Sequence, residues 1–405
     1  FDAADRRNWP AVEKFASQST DKVLLPVLDW LRILRKGPAT ADEISLFAAR
    51  YGTWPRLSAL KRRQETLIAE DADDSTALAH FTRAAPATLD GKLRYATLLA
   101  QSKQTGAARN IARSLWHGNV MTLQQETRLR TRAGFRPSAA DQAKRLDTLI
   151  WAGSRSAAAR ALSATKGADR RLGDARFRLR FSRSGVDQAL ARLTPTQAQN
   201  SAVVYERVRW RRKRGRGDGA VELLLTTPEI GNKASQWWTE KRIHIRRLIV
   251  ENRAHDAYRL TINHGLTKGA RFAEAQFLAG WIALRFISRP DLAEGHFRTL
   301  AGGVRYPVSV ARAAYWLGRT LNVLDRKTEA REWFARAAGH HTTFYGQLAA
   351  SEIGFLPGSL RLRNTASDDA QAAYQNRPLA QIVARLADIN QHGLARLFLT
   401  HLVRD

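Results

Sequence analysis

The side chains best equipped for chemistry gather on one short segment. Arg207, Arg209, Arg211, Arg212, Lys213 and Arg214 surround Trp210. Guanidinium groups grip phosphates and carboxylates through paired N–H donors, and an interleaved indole can stack a base. On a helix, Tyr205, Val208 and Arg212 would share one stripe while the other cations spread around the cylinder. A solvated basic face therefore competes with an anion-binding surface. The segment Gly215-Arg216-Gly217-Asp218-Gly219 follows directly. Glycine-rich turns ahead of helices can offer N–H groups to phosphate. The dinucleotide fingerprint, however, needs a preceding strand, and 203–214 reads as a helix. These glycines fit a turn inside a helical hairpin.

Other chemistries find little support. Cysteine is absent, which excludes disulfides, thiolate catalysis and Cys-ligated metal sites. His340, His341 and His244 lack partners at metal-ligand spacing, and adjacent helical side chains diverge by about 100°. No zincin, phosphate-loop or nucleophile-elbow signature occurs, and no Ser-His-Asp constellation is favoured by position. No catalytic residue, cofactor site or metal site is assigned to this chain. The tryptophans (Trp9, Trp30, Trp54, Trp116, Trp151, Trp210, Trp237, Trp238, Trp281, Trp316 and Trp333) could serve as sugar-stacking platforms. Most recur at helical spacing beside other apolar residues, which favours packing between repeats.

The elements that must position these residues are helices. The 405 residues exceed one compact domain and are 44% hydrophobic, with few Gly or Pro, so several domains or an extended array are expected. No run of about 18 apolar residues could span a membrane. Sixty-six basic against 37 acidic residues give a net charge of +29. That charge suits either a solvated Arg-rich surface or attraction to a polyanion: nucleic acid, an anionic membrane surface, or cell wall with its peptide carboxylates.

A helix-turn-helix pattern repeats along the chain. Its clearest copy places Leu317 and Gly318 before a polar turn at Asp325, Arg326 and Lys327, then Ala330, Phe334 and Ala337, at tetratricopeptide spacings. Gly318 and Ala330 would let two antiparallel helices approach closely, and Phe334 would fill the groove between them. The second-helix feature recurs at Ala293/Phe297, Ala257/Thr261, Ala220/Leu224, Ala158/Leu162 and Ala107/Ile111. Intervals from Ala220 onward are 37, 36 and 37 residues, against 62 and 51 before it. Stacking would bury the apolar face that each hairpin leaves uncovered, so the expected fold is an all-α, tetratricopeptide-like superhelix with a concave surface. Pro10, Pro38, Pro55, Pro86, Pro137, Pro195, Pro228, Pro290 and Pro307 punctuate the helices. Apolar periodicity lapses over about 356–375, where Pro357, Gly358 and Ser359 read as a linker. It resumes over 376–405 in two helices, too few to bury a core alone.

Three segments carry a family resemblance: 272–285 (Phe272 to Arg285, with Gly280 and Trp281), 311–319 (Ala311 to Arg319, with Tyr315 and Trp316), and 342–350 (Thr342, Thr343, Phe344, Tyr345 and Gly346 leading to Ala350). Weaker matches lie at 149–153, 205–212, 257–260 and 264–266. Together they resemble soluble lytic transglycosylases over essentially the whole chain. The resemblance implies a periplasmic enzyme with a U-shaped α-superhelix, a helical linker domain that closes it into a ring, and a lysozyme-like catalytic domain. Residues 1–355 would form the U-shaped domain, 356–375 a linker, and 376–405 the first helices of the linker domain. The family cleaves the bond between N-acetylmuramic acid and N-acetylglucosamine without water. One Glu acts as acid then base, and a 1,6-anhydro end results.

The family's catalytic motifs are missing. None of the fifteen Glu residues precedes Ser, and Met121 lies between Val120 and Thr122 instead of in Gly-Leu-Met-Gln. No catalytic residue carries over, and the chain is expected to stop before the catalytic domain. The start at Phe1 fits a removed secretory signal or a cut chain. The expected role is to hold peptidoglycan glycan strands, with other cell-wall proteins as further partners and no nucleic acid. Arg207, Arg209, Arg211, Arg212, Lys213 and Arg214 would form an anion- or wall-binding patch. The alternatives are a tetratricopeptide-like protein-interaction scaffold and a basic nucleic-acid-binding solenoid.

Overall fold

A computed structural model describes residues 1–226, 233–354 and 367–403. It is all-α, with no strand among the described residues. The chain divides into two compact units, 1–157 with 363–405, and 158–362.

In the first unit, local sequence sets the helix starts. Thr40 with Glu43, Thr122 with Gln125 and Ser138 with Asp141 form reciprocal capping boxes at three of them, each satisfying backbone donors that the helix cannot. Burial then joins distant segments. The helices Pro378–Asp388 and His392–Leu402 bury Leu379, Ile382, Leu386, Phe398 and Leu402 in one core with Trp30, Ile33, Ile44, Trp54 and Leu60. Phe398 lies 5.2 Å from both the Trp30 and Trp54 rings. The two C-terminal helices thus share a core with the first sixty residues. Of the stretch read as a linker, residues 356–366 lie outside the described residues. The part that follows is helical: Asp368–Gln375 starts at Ser367, whose hydroxyl accepts from the Ala370 N–H, and carries Asp368 and Asp369 in its first turn. It has no buried residue, so capping and charge form it with no hydrophobic stripe to reveal it.

The second unit contains four successive hairpins. They pair Ser201–Lys213 with Gly217–Thr226, Ala234–Val250 with Ala254–Ile262, Gly269–Arg285 with Pro290–Gly303, and Pro307–Val323 with Lys327–Ala338. The returning helices bury Ala220, Ala257, Ala293 and Ala330 completely. Five residues before each alanine, Gly215, Asn252, Ser288 and Asp325 take left-handed backbone angles that turn the chain. Close approach is real at the third and fourth hairpins. A Cβ on Gly280 would sit 2.7 Å from the Phe297 ring, and one on Gly318 would sit 2.8 Å from Phe334. Upstream the register differs from the sequence reading. Ala108 and Ala112, not Ala107 and Ile111, are the fully buried pair, and the left-handed residue five positions earlier is Lys103.

Candidate functional site

The hairpin stacking brings a column of charge into the second unit. Glu206, Glu240 and Glu274 recur every 34 residues, one on the leading helix of each of the first three hairpins. Each meets cations of its own helix or of the helix before it in the stack, which for Glu206 is Gly167–Arg180. Glu206, fully buried, faces Arg180 at 3.6 Å and Arg209 at 3.9 Å. Glu240 takes a two-pronged contact from Arg212, at 2.6 Å from Nε and 2.9 Å from Nη2, with Arg209 at 3.8 Å. Glu274 accepts from Trp238 Nε1 at 2.9 Å and pairs with Arg242 and Arg246 at 3.5 and 3.4 Å. Bidentate guanidinium contacts fix geometry as well as charge, so this column locks successive hairpins in register.

Burial dominates the proton affinities here. Burial pushes the Glu206 carboxyl up to about 7; Arg180, Arg176 and Arg209 oppose the rise, and Glu240 adds to it. Burial alone brings the Lys241 ammonium down to about 8. A carboxyl near 7 resembles a general acid in its affinity. Glu206, however, is walled in by its arginines and 0% exposed, so no substrate atom can reach it. The column is structural.

The sequence patch is therefore divided. Arg209 and Arg212 turn inward to the carboxylates. Arg211 Nη1 donates to the Gly219 carbonyl at 2.5 Å, bracing the glycine turn. Arg207 is half-buried, and burial together with the neighbouring Arg211 lowers its affinity for a proton. Lys213 and Arg214 are exposed; Arg209 leads the causes that lower the Lys213 ammonium. Arg214 and Arg216 lie 5.6 and 5.8 Å from the Trp210 ring. Arg207, Arg211, Lys213 and Arg214 meet no carboxylate within ion-pair distance among the described residues. Of these, Lys213 and Arg214 hold their charge toward solvent.

The sequence reading missed a second polar chain. Leu266 N–H donates to His264 Nδ1 at 2.8 Å, and the Gln276 side-chain amide bridges His264 and His296 at 3.2 and 2.8 Å. His296 Nε2 then meets the Tyr258 hydroxyl at 2.9 Å. Burial lowers both histidines, with Lys241 adding to it at His264 and His264 adding to it at His296. They stay neutral near pH 7 and link the second hairpin to the third. Their spacing follows no ligand or catalytic template; Tyr258, His264 and Gln276 stood out in the sequence only as members of the segments of family resemblance, with no role assigned. Among the described residues no group of three or more His, Asp or Glu could hold a metal ion.

The tryptophans serve mainly as packing. Trp9, Trp30, Trp54, Trp116, Trp237 and Trp238 are buried, and the other five are half-buried. The three segments that carry the family resemblance fall on the leading helices of the third and fourth hairpins and on Phe344–Glu352. Thr343 caps that last helix by accepting from Gly346 N–H, and the His340 carbonyl leaves no room for a side chain at Gly346.

The same architecture occurs in known enzymes. An inactive mutant of the lytic transglycosylase Slt from Pseudomonas aeruginosa matches 96% of this chain at 18% identity with a TM-score of 0.61. The 70-kDa soluble lytic transglycosylase from Escherichia coli matches 100% at 17% identity with a TM-score of 0.60. A 70-kDa soluble lytic transglycosylase in complex with bulgecin A matches 99% at 18% identity with a TM-score of 0.58. This chain spans only 62 to 64% of those chains. No protein-family model and no curated protein sequence matches it. The chain has the fold of the matched part of these transglycosylases.

Proposed function

We propose that this chain is the scaffold and substrate-holding portion of a peptidoglycan lytic transglycosylase that acts in the periplasm. The observation that carries the reading is the fold match over 96 to 100% of the chain. It coincides with the transglycosylase-like segments on the third and fourth hairpins and the helix after them. The chain itself would position glycan strands and leave bond cleavage to residues it does not contain. Arg207, Arg211, Lys213 and Arg214 would meet acidic wall polymer, while Arg209 and Arg212 hold the hairpins together. No described helix is long and apolar enough to cross a membrane.

The test uses purified sacculi. The 405-residue chain should sediment with them yet release no anhydro-muropeptides on prolonged incubation. Release of anhydro-muropeptides by this chain would overturn the division of labour. Failure to sediment at low salt would overturn the wall-binding role.

A further inference from the structure

A groove of about 490 Å³ opens within the first unit, where the N-terminal helices meet the C-terminal pair. Lys22, Arg50 and Arg377 reach it from three separate segments, and no acidic side chain lines it. All three are exposed, and none meets a carboxylate within ion-pair distance among the described residues. Lys22 Nζ donates only to the Ser19 carbonyl at 3.0 Å, and the Arg50 guanidinium lies 5.5 Å from the Tyr51 ring. Asp21, next to Lys22 in the chain, is already engaged: it accepts from Val23 N–H at 2.8 Å and pairs with Arg385 at 3.4 Å. Lys22 also borders a second pocket, which Glu13, Asp29 and Glu43 line. Elsewhere this chain neutralises convergent arginines with buried glutamates. Here it leaves three cations facing one cavity.

The floor decides what kind of anion fits. Trp54 is 5% exposed, packed edge-on against Phe47 at 5.6 Å and Phe398 at 5.2 Å. Its ring face is closed, so it offers no platform for a neutral sugar. The rest of the floor is mixed: the half-buried Tyr51 ring, whose neighbours Phe47 and Trp54 lie at 4.7 Å, the polar Thr53 and Gln381, and the aliphatic Val23 and Ile382. Cations above a floor that mixes apolar surface with amide and hydroxyl groups suit a ligand with carboxylates on one side and small apolar and amide groups on the other.

We propose that this groove binds a short extended peptide through its carboxylates, with Lys22, Arg50 and Arg377 as the recognising groups. The peptide would be the carboxylate-bearing stem peptide of peptidoglycan, an identification that rests on the function proposed above.

Calorimetric titration of the full chain with three probes tests this: a synthetic stem peptide with free carboxylates, its amidated counterpart, and a chitin tetrasaccharide. The acidic peptide should bind at least about tenfold more tightly than the other two. Arg50→Gln combined with Arg377→Gln should weaken it about as much, with an unchanged melting midpoint because both side chains are exposed. The exposed substitution Arg305→Gln, in the second unit, should leave binding as it was. Equal binding of the amidated peptide, tighter binding of the tetrasaccharide, or undiminished binding by the double variant would each overturn the proposal. Sedimentation with sacculi separates the two readings. Retention on sacculi with undiminished peptide binding in the double variant removes only the groove. Groove-dependent peptide binding without retention removes only the wall-holding function.

Discussion

Glu206 shows what burial does to a single group in this array. An acid whose folded pKa is raised binds more protons folded than unfolded, so it favours the fold below its unfolded value, near 4.5. That contribution is lost as pH rises through about 7. A rise of this size corresponds to about 3 kcal/mol across the interval. Glu206→Gln keeps the shape and removes the titration. Its urea midpoint should change less between pH 4.5 and 8 than that of the parent, whose stability should fall with rising pH. Parallel pH profiles would refute the assignment. None of this was visible in the residue's type: Glu206 sits in a basic run, where it looks like an exposed counter-charge. What it lacked was its partner Arg180 on the helix Gly167–Arg180 and Glu240 on the next leading helix, neighbours that exist only once the helices stack.

At the scale of the element, the hairpins were legible because close helix approach restricts residue size. Gly318, Ala330 and Phe334 announce their roles by volume alone. The reading failed by one residue at Ala107, where two alanines adjoin and the turn is made by Lys103, a residue that does not advertise left-handed geometry. It also passed over Asp368–Gln375, which buries nothing. The core shared by Trp30 and Phe398 lies beyond any local pattern, since its halves are separated by most of the chain. Gly318 provides a quantitative check on the close approach. Replacing a helical Gly by Ala ordinarily gains up to about 1 kcal/mol. Here the added methyl meets Phe334, 2% exposed and held against Tyr315 at 5.8 Å. Overpacking of this kind costs about 1–3 kcal/mol, so Gly318→Ala should destabilise on balance. In a Phe334→Leu background the same change should become neutral or stabilising, with a coupling of at least about 1 kcal/mol by chemical denaturation. Additive effects would mean that the helices do not touch there.

For the whole molecule, the charge does two separable jobs. Glu206, 0% exposed and facing Arg180, is shielded from solvent ions, and Arg212 is partly shielded where it meets the buried Glu240, whereas Arg214 and the groove cations are open to them. Attraction between exposed charges is screened beyond a Debye length, which is about 10 Å at 0.1 M salt and about 3 Å at 1 M. Stability and wall binding should therefore respond differently to salt. The melting midpoint should move little between 0.05 and 1 M sodium chloride, within about 3 °C for a chain of this size. Sedimentation with sacculi should fall steeply over the same range, because it depends on the unpaired surplus behind the net charge of +29. Both are measured on one preparation, by differential scanning fluorimetry and by quantifying protein in the sacculus pellet. If the midpoint dropped in step with binding, the column would be a solvent-exposed network with no part in holding the hairpins in register. If sacculi retained the protein fully at 1 M, its charge would serve solubility, and recognition of the wall would have to rest on uncharged contacts.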